Sequence, residues 1–139
     1  MIRPATPADI PMLLDMGQKF ADRAELSAHV GYDPASMEAT FLAMIENEAF
    51  CLFVGDSGAI GGMVAPHPFN HAQPIADELF WWSEGREGLK LLEAYEEWAA
   101  AQGAVIRMTA LEAVNPERMK RFYERRGYQP LERAYVRVS

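Results

Sequence analysis

The sequence contains a single cysteine, no long apolar run and no basic tract. Cys51 alone excludes an internal disulfide framework and a zinc site made of several cysteines. No run of about 18 apolar residues is present, so no membrane-spanning helix is predicted, and residues 1–4 lack the apolar core of a secretory signal. Asp and Glu number 20 against 13 Lys and Arg, a net charge of −7, and nucleic-acid binding rests on neutralising phosphates. We therefore expect a cytoplasmic protein with neither nucleic acid nor membrane as a partner.

The composition that remains is typical of a soluble globular domain. Half of the 139 residues are hydrophobic and 24% are charged. No repeat or low-complexity tract divides the chain, so residues 1–139 are predicted to form one domain. The periodicity of apolar residues predicts the order β-α-α-β-β-β-α-β-α-β. This is an α/β (α+β) fold, with one central sheet and helices packed on its faces.

Local signals place these elements along the chain. Residues 1–5 read as a strand, and Thr6-Pro7 and Asp33-Pro34 each read as the start of a helix. Two apolar runs flank the turn signal Asp56-Ser57-Gly58 and predict a β-hairpin, in which Gly61 and Gly62 indicate a bulge or a close backbone approach. The remaining predictions are a loop at 66–74, strands at 75–82, 104–111 and 135–138, and helices ending at Gly103 and Gly127.

The stretch from Phe80 to Trp98 predicts a strand, a turn with glycines and then an amphipathic helix. The first N–H groups of such a helix have no partner, and together with the helix dipole they suit an anion such as phosphate. Gly85 and Gly88 would let a ligand approach the backbone, and Arg86 adds positive charge. Any strand-to-helix turn can contain glycine, so a purely structural role stays open.

A second signal lies downstream, where Asn115 precedes Pro116 and a helix that carries Phe122 and Tyr123. Asn115 is a good N-cap, and the two aromatic residues could be core residues. Taken together, these two blocks resemble the GNAT superfamily of acyl-CoA-dependent N-acyltransferases over nearly the whole chain. The resemblance implies a mixed, largely antiparallel central sheet with helices on both faces. It also implies acetyl-CoA as the acyl donor and no metal.

The phosphate-binding loop departs from the pattern of the family, which has Arg or Gln, two residues, Gly, one residue, then Gly or Ala. An ungapped overlay places Ser83 first, Arg86 fourth and Gly88 sixth, so that only the last position matches. Alternatively, the loop is shortened and lacks its first basic residue. The resemblance implies that pantetheine pairs with the strand at Trp81 and Trp82. The remaining cofactor-binding residues that it implies are Gly85, Arg86, Glu87, Gly88, Leu89, Lys90 and Asn115.

The resemblance also implies direct attack of an amine on the thioester in a ternary complex. Tyr123 matches the tyrosine that protonates the departing sulfur, a general-acid role. Glu78 is our candidate base, with Asp77 on the opposite strand face as its rival and Glu84 as a third alternative. All three could instead be solvated surface charges. The net charge suggests a cationic acceptor, either a small molecule or a protein amine.

Other features carry alternatives to this interpretation. A catalytically silent, CoA-binding or regulatory module would also be consistent with the altered loop, and the edge of the terminal strand is compatible with a homodimer. Pro68 disfavours the helix that would align His67 and His71 for a metal. Cys51 reads as a small core hydrophobe. A late basic cluster reads as a solvated helix face or as a contact for the adenosine 3′-phosphate; it comprises Arg118, Lys120, Arg121, Arg125 and Arg126.

Overall fold

A computed structural model describes residues 1–139, which form one five-stranded sheet and four α-helices. The strands are β1 (Arg3–Pro4), β2 (Phe50–Val54), β3 (Gly58–His67), β4 (Asn70–Ser83) and β5 (Val105–Arg107). The helices are α1 (Ile10–Arg23), α2 (Pro34–Glu46), α3 (Gly88–Ala101) and α4 (Pro116–Arg125). The strand order is β1-β2-β3-β4-β5, and every pair is antiparallel except β4 with β5. No helix combines the length and apolar character needed to cross a membrane.

Helices cover both faces of the sheet. Leu52 and Ala59 belong to the core cluster under α1 and α2, whereas their neighbours Cys51 and Ile60 belong to the cluster under α3. Successive strand residues point to opposite faces, so the two clusters lie on opposite sides of the sheet. Tyr95 is fully buried at the centre of the α3 layer. The predicted fold class is confirmed.

The predicted helix starts are confirmed, with one refinement. The side chain of Asp33 accepts a hydrogen bond from the Ser36 N–H at 3.1 Å and caps α2. At the first predicted start, residues 7–9 form a 3₁₀ turn and α1 follows from Ile10. Asp9 is buried there and accepts two 2.8 Å hydrogen bonds from Arg3. Its pKa is lowered to about 2 by that guanidinium and by the Thr6 N–H.

One loop prediction and two strand predictions needed correction. The predicted loop at 66–74 is wrong, because β3 and β4 continue to His67 and from Asn70, and Pro66 pairs with Pro74. Proline has no N–H to donate to a neighbouring strand. Because Pro66 and Pro74 face each other, both missing donors fall at the same pair, and strand pairing continues beyond it. The predicted strand at 104–111 is real only at 105–107, because β5 leaves β4 after Arg107. The terminal strand at 135–138 is also wrong: that segment is exposed and has no strand beside it.

At Gly61 and Gly62 we predicted a bulge or a close backbone approach; the close approach is confirmed, and the bulge lies opposite the glycines, in β4. The pairing of β3 with β4 shifts between these two glycines. A Cβ at Gly61 would lie 2.7 Å from Phe80, and one at Gly62 would overlap the ring of Tyr95. The missing side chains therefore let one large aromatic residue pack on each face of β3.

Candidate functional site

The sheet divides between β4 and β5. These strands pair only from Ile75 to Asp77, opposite Val105 to Arg107. From residue 78 to residue 83, β4 is bonded to β3 alone, and we call its unpaired other edge, where β5 has separated from it, the opening. Two phenols bind the chain where β5 ends. Tyr95 on α3 donates to the carbonyl oxygen of Arg107 at 2.9 Å, and Tyr123 on α4 donates to that of Thr109 at 3.0 Å.

A β-bulge lies where the opening begins. Glu78 pairs with Gly62 and Phe80 with Gly61, so Leu79 is the extra residue in β4. Leu79 and Phe80 both line a cavity beneath α1 and α2, although neighbours in a regular strand point to opposite faces. The bulge thus changes the direction of the backbone beside the candidate base.

The N-terminus of α3 lies at the other end of the opening and has free donors. None of the N–H groups of residues 85–90 donates a hydrogen bond within the chain; the first such bond in the helix runs from the Leu91 N–H to Glu87 O at 3.0 Å. No side chain caps the helix. The corner that the sequence predicted as an anion site therefore presents a row of free amides at the positive end of the helix dipole.

Glu87 fixes this corner to the hairpin turn between β2 and β3. Its carboxylate accepts hydrogen bonds from the Asp56 N–H at 3.1 Å and from the Ser57 N–H at 2.6 Å. These bonds, chiefly the one from Ser57, lower the pKa of Glu87. A Cβ at Gly85 would lie 2.5 Å from Ser57 Oγ, so the hairpin turn packs closely against the loop at this residue. Glu87 thus anchors the loop to the hairpin turn, while the N–H groups of residues 85–90 stay free.

Side chains of both charges surround the corner. Arg86 and Lys90 are exposed and make no ion pair in the structure. The nearby carboxylate of Glu84 is neutralised by Lys19 on α1, with 2.9 Å between Nζ and Oε1. The corner thus carries two unpaired cationic side chains beside the carboxylate of Glu87, in a chain of net charge −7.

The backbone of Thr109 makes a hydrogen bond with each of the two predicted catalytic residues. Glu78 Oε1 accepts from the Thr109 N–H at 3.1 Å, and the carbonyl oxygen of the same residue accepts from Tyr123. Burial raises the pKa of Glu78 to about 7, with a smaller contribution from Asp77, against the lowering effect of the Thr109 N–H. Burial also raises the pKa of Tyr123 above its usual value, and Glu78 raises it further. The pair thus combines a carboxyl group that titrates near neutrality with a phenol that keeps its proton.

The rival carboxylates are both engaged in ion pairs. Asp77 Oδ1 lies 2.9 Å from Arg107 Nε, on the neighbouring strand. Glu84 is paired with Lys19, as described above, at the helix end of the opening. Of the three candidate bases, only Glu78 borders the opening without a cationic partner.

Three further predicted residues have positions that the structure explains. The indole N–H of Trp81 donates to Gly88 O at 3.1 Å, which ties the end of β4 to the first turn of α3. Trp82 points to the other face and lines the cavity under α1 and α2. The side chain of Asn115 caps α4 by accepting from the Arg118 N–H at 3.3 Å, at a positive φ of 40°. Contacts of these residues with a cofactor stay predictions.

The late basic cluster separates into two parts. Arg126 donates to Glu96 on α3, 3.0 Å from Nε to Oε2, and Tyr128 donates to the same carboxylate oxygen at 2.7 Å. Arg126 thus serves to dock α4 on α3. The other four members of the cluster are exposed on α4.

Sequence reasoning missed Thr109 and the roles of Glu87 and Leu79. Thr109 acts through its backbone, which no residue type reveals, and Glu87 bonds to a turn some 30 residues away in the chain. The extra residue Leu79 had a signal in the two glycines opposite it, but this signal does not say which residue of the partner strand is extra.

The sequence matches no family model and no curated protein. The structure, however, resembles solved structures along their full length. A transcriptional regulator from Bacillus halodurans C-125 is 21% identical, with a TM-score of 0.78 and coverage of 100% of this chain and 99% of the other. A putative acetyltransferase from Agrobacterium tumefaciens str. C58 is 18% identical, with a TM-score of 0.73 and coverage of 100% of this chain and 99% of the other.

A third similar structure is glucosamine-6-phosphate N-acetyltransferase from Arabidopsis thaliana, at 11% identity and a TM-score of 0.71. The match covers 99% of this chain and 97% of that one. At such identities the likeness concerns the arrangement of helices and strands. The chain has the fold of the GNAT acetyltransferases.

Proposed function

We propose that the protein is an N-acetyltransferase, which moves an acetyl group from acetyl-CoA to a primary amine by direct attack in a ternary complex. The observation that carries this proposal is the row of free N–H groups at residues 85–90, placed at the end of the opening in the sheet. Phosphate oxygens need such donors, and a helix N-terminus supplies them with a favourable dipole.

The opening suits the rest of the donor. From Glu78 to Ser83 the free edge of β4 is about 17 Å long at 3.3 Å per residue, and it presents backbone groups to which the amides of pantetheine could bond. A donor with its diphosphate on residues 85–90 and its arm along this edge would bring the thioester to the bulge at Leu79. Arg86 and Lys90 would add charge attraction for the phosphates.

The residues at the bulge suit acyl transfer. The amine nitrogen would form a bond to the thioester carbon as the carbon–sulfur bond breaks, so the amine must lose a proton and the sulfur must gain one. Glu78 would accept the proton, since one of its oxygens is held by Thr109 while a pKa of about 7 lets it act near neutral pH. Tyr123 would supply the proton to sulfur. A backbone N–H at the bulge would polarise the carbonyl group.

A primary amine as acceptor is supported by analogy alone. The Arabidopsis thaliana enzyme is named for glucosamine-6-phosphate, which carries its amino group on a polar phosphorylated sugar.

A silent, CoA-binding or regulatory module is the second candidate. One of the similar structures is named a transcriptional regulator, and the phosphate loop has Arg86 where the family has glycine. Binding of acetyl-CoA without turnover would favour this candidate over the enzyme.

Thermal unfolding with and without acetyl-CoA tests the proposal first. A ligand at 100 times its dissociation constant stabilises the folded state by about 2.7 kcal/mol, so we expect a clear rise in Tm. No rise at millimolar acetyl-CoA would remove the enzyme and would leave only a regulatory module that does not bind CoA.

Thiol release with a panel of amines then separates the enzyme from the silent module. Tyr123→Phe should lower kcat by roughly 10²- to 10⁴-fold, the usual contribution of a general acid, and should leave the Tm shift with acetyl-CoA in place. Tyr135→Phe is the matched control, because Tyr135 is 88% exposed. Equal turnover in Tyr123→Phe and the wild type would exclude Tyr123 as the acid.

A further inference from the structure

A cavity of about 230 Å³ lies between the sheet and the helices α1 and α2. It reaches the proposed reacting centre at Leu79, the residue that follows Glu78 on the unpaired edge of β4. Phe80 and Trp82 of the same strand form its floor, and Phe20 and Phe41 of the two helices lie among its walls. The cavity is thus placed on the side of the sheet opposite α3, where a second substrate could approach the opening.

The lining of the cavity is almost wholly apolar. Thirteen of the 15 lining residues are hydrophobic, and none is charged. The hydroxyl groups of Thr40 and Tyr32 are already bonded to the backbone oxygens of Ser36 and Leu14. A buried ammonium or phosphate group would therefore find no counter-charge here, and burying an unpaired charge is strongly unfavourable.

One polar atom in this wall lacks a partner. Trp82 Nε1 is buried and has no acceptor in the chain. A buried donor without a partner costs free energy, but this atom is covered by the chain and offers no hydrogen bond to a molecule in the cavity. The cavity is larger than the space of about 150 Å³ in which an apolar protein site can hold benzene.

From this geometry we infer that the amine acceptor carries an uncharged, apolar body, of about the size of a phenyl ring with a short chain, that fills this cavity. The inference rests on the proposed acetyltransferase function. The amino group stays outside the cavity, at the opening beside Glu78, because only there is a carboxylate available to take its proton. The net negative charge of the chain suggested a cationic acceptor, but no charged residue lines the cavity.

A comparison of two amines of similar basicity tests the inference. With acetyl-CoA saturating, kcat/KM for 2-phenylethylamine should exceed that for ethanolamine by about 10- to 100-fold, as expected for burying one aromatic group. Spermidine should be no better than ethanolamine. A preference for ethanolamine or spermidine would overturn the inference while leaving the acetyltransferase proposal intact.

Two variants tie the preference to the cavity. Thr40→Trp should obstruct it and bring the ratio between the two amines close to one. Ala39→Trp is the matched control, because Ala39 is exposed on the same helix and does not line the cavity; it should keep the wild-type ratio. An unchanged ratio in Thr40→Trp would overturn the inference.

The acyl chain of the donor is the other group that could enter this space. Hexanoyl-CoA should react more slowly than acetyl-CoA; faster reaction would assign the cavity to the donor and overturn the inference for the acceptor. If no amine is acetylated at all, the proposed function fails, and calorimetry with 2-phenylethylamine still decides the cavity. Binding to the wild type that is lost in Thr40→Trp supports the apolar site, and absence of binding refutes it.

Discussion

Replacing Glu78 by glutamine removes a carboxyl group that the folded protein disfavours in its charged form. Folding raises the pKa of this group from 4.5 to about 7. At 1.36 kcal/mol per unit the ionised carboxylate costs at most about 3 kcal/mol of folding free energy. The side chain is partly exposed, and screening by water reduces this value. Glutamine keeps the shape and can still accept the Thr109 N–H.

The sign of the effect depends on pH. The folded-state pKa is raised, so the wild type has its full stability below the unfolded value of 4.5 and loses part of it as pH rises through about 7. Glu78→Gln should therefore equal the wild type near the lower pH and exceed it by up to about 3 kcal/mol at about pH 8. Urea unfolding at both pH values measures the difference.

Glu97→Gln is the control, since it removes the same group from an exposed position on α3. A Glu78→Gln effect that is independent of pH would refute the reasoning, because desolvation of a charge acts only when the charge is present. In turnover assays, the wild-type kcat/KM should rise with an apparent pKa of about 7. Glu78→Gln should lose most of this activity although it is the more stable protein at about pH 8.

The remaining predictions concern the supports of the site. Glu87→Gln weakens the hydrogen bonds from Ser57, so it should lower the free energy of unfolding by about 1 kcal/mol and weaken acetyl-CoA binding. Tm with and without the ligand measures both effects. Unchanged affinity would mean that the contact with the hairpin turn does not support the anion corner. Gly62→Ala pushes against the buried ring of Tyr95 and should cost about 1–3 kcal/mol in urea unfolding, whereas a neutral result would mean that the ring moves freely. Burial raises the pKa of Cys51 to about 12, so iodoacetamide at neutral pH should label it only in denaturant, as mass spectrometry can show.

The sequence predicted those parts of the fold that depend on local signals. Asp33-Pro34 and Asn115-Pro116 start helices where N-caps satisfy the first N–H groups, and Gly103 stands at the positive φ of 68° that ends α3. The signals failed where pairing overrides composition. Pro66 and Pro74 suggest a loop, but they face each other inside the long hairpin of β3 and β4.

Residues 135–138 show the opposite error. Their apolar composition suits a strand, yet a strand forms only beside a partner, and the composition of a segment does not say whether an edge is available. The same reason limits prediction of the site. Glu78 and Tyr123 could be named from the sequence because their own side chains are involved. Thr109 could not be named, because its part is to place a backbone N–H and a carbonyl oxygen between them.

The single extra residue in β4, Leu79, affects the geometry of the site but not the packing of the two hydrophobic clusters. Without Leu79, Glu78 and Phe80 would alternate as in a regular strand, and both would keep the sides of the sheet on which they now lie. Deletion of one residue at this point would thus leave the hydrophobic layers in phase, while the geometry beside Glu78 would change. The insertion or deletion of one codon at this point could therefore create or remove a site without any change in the residues of the hydrophobic cores.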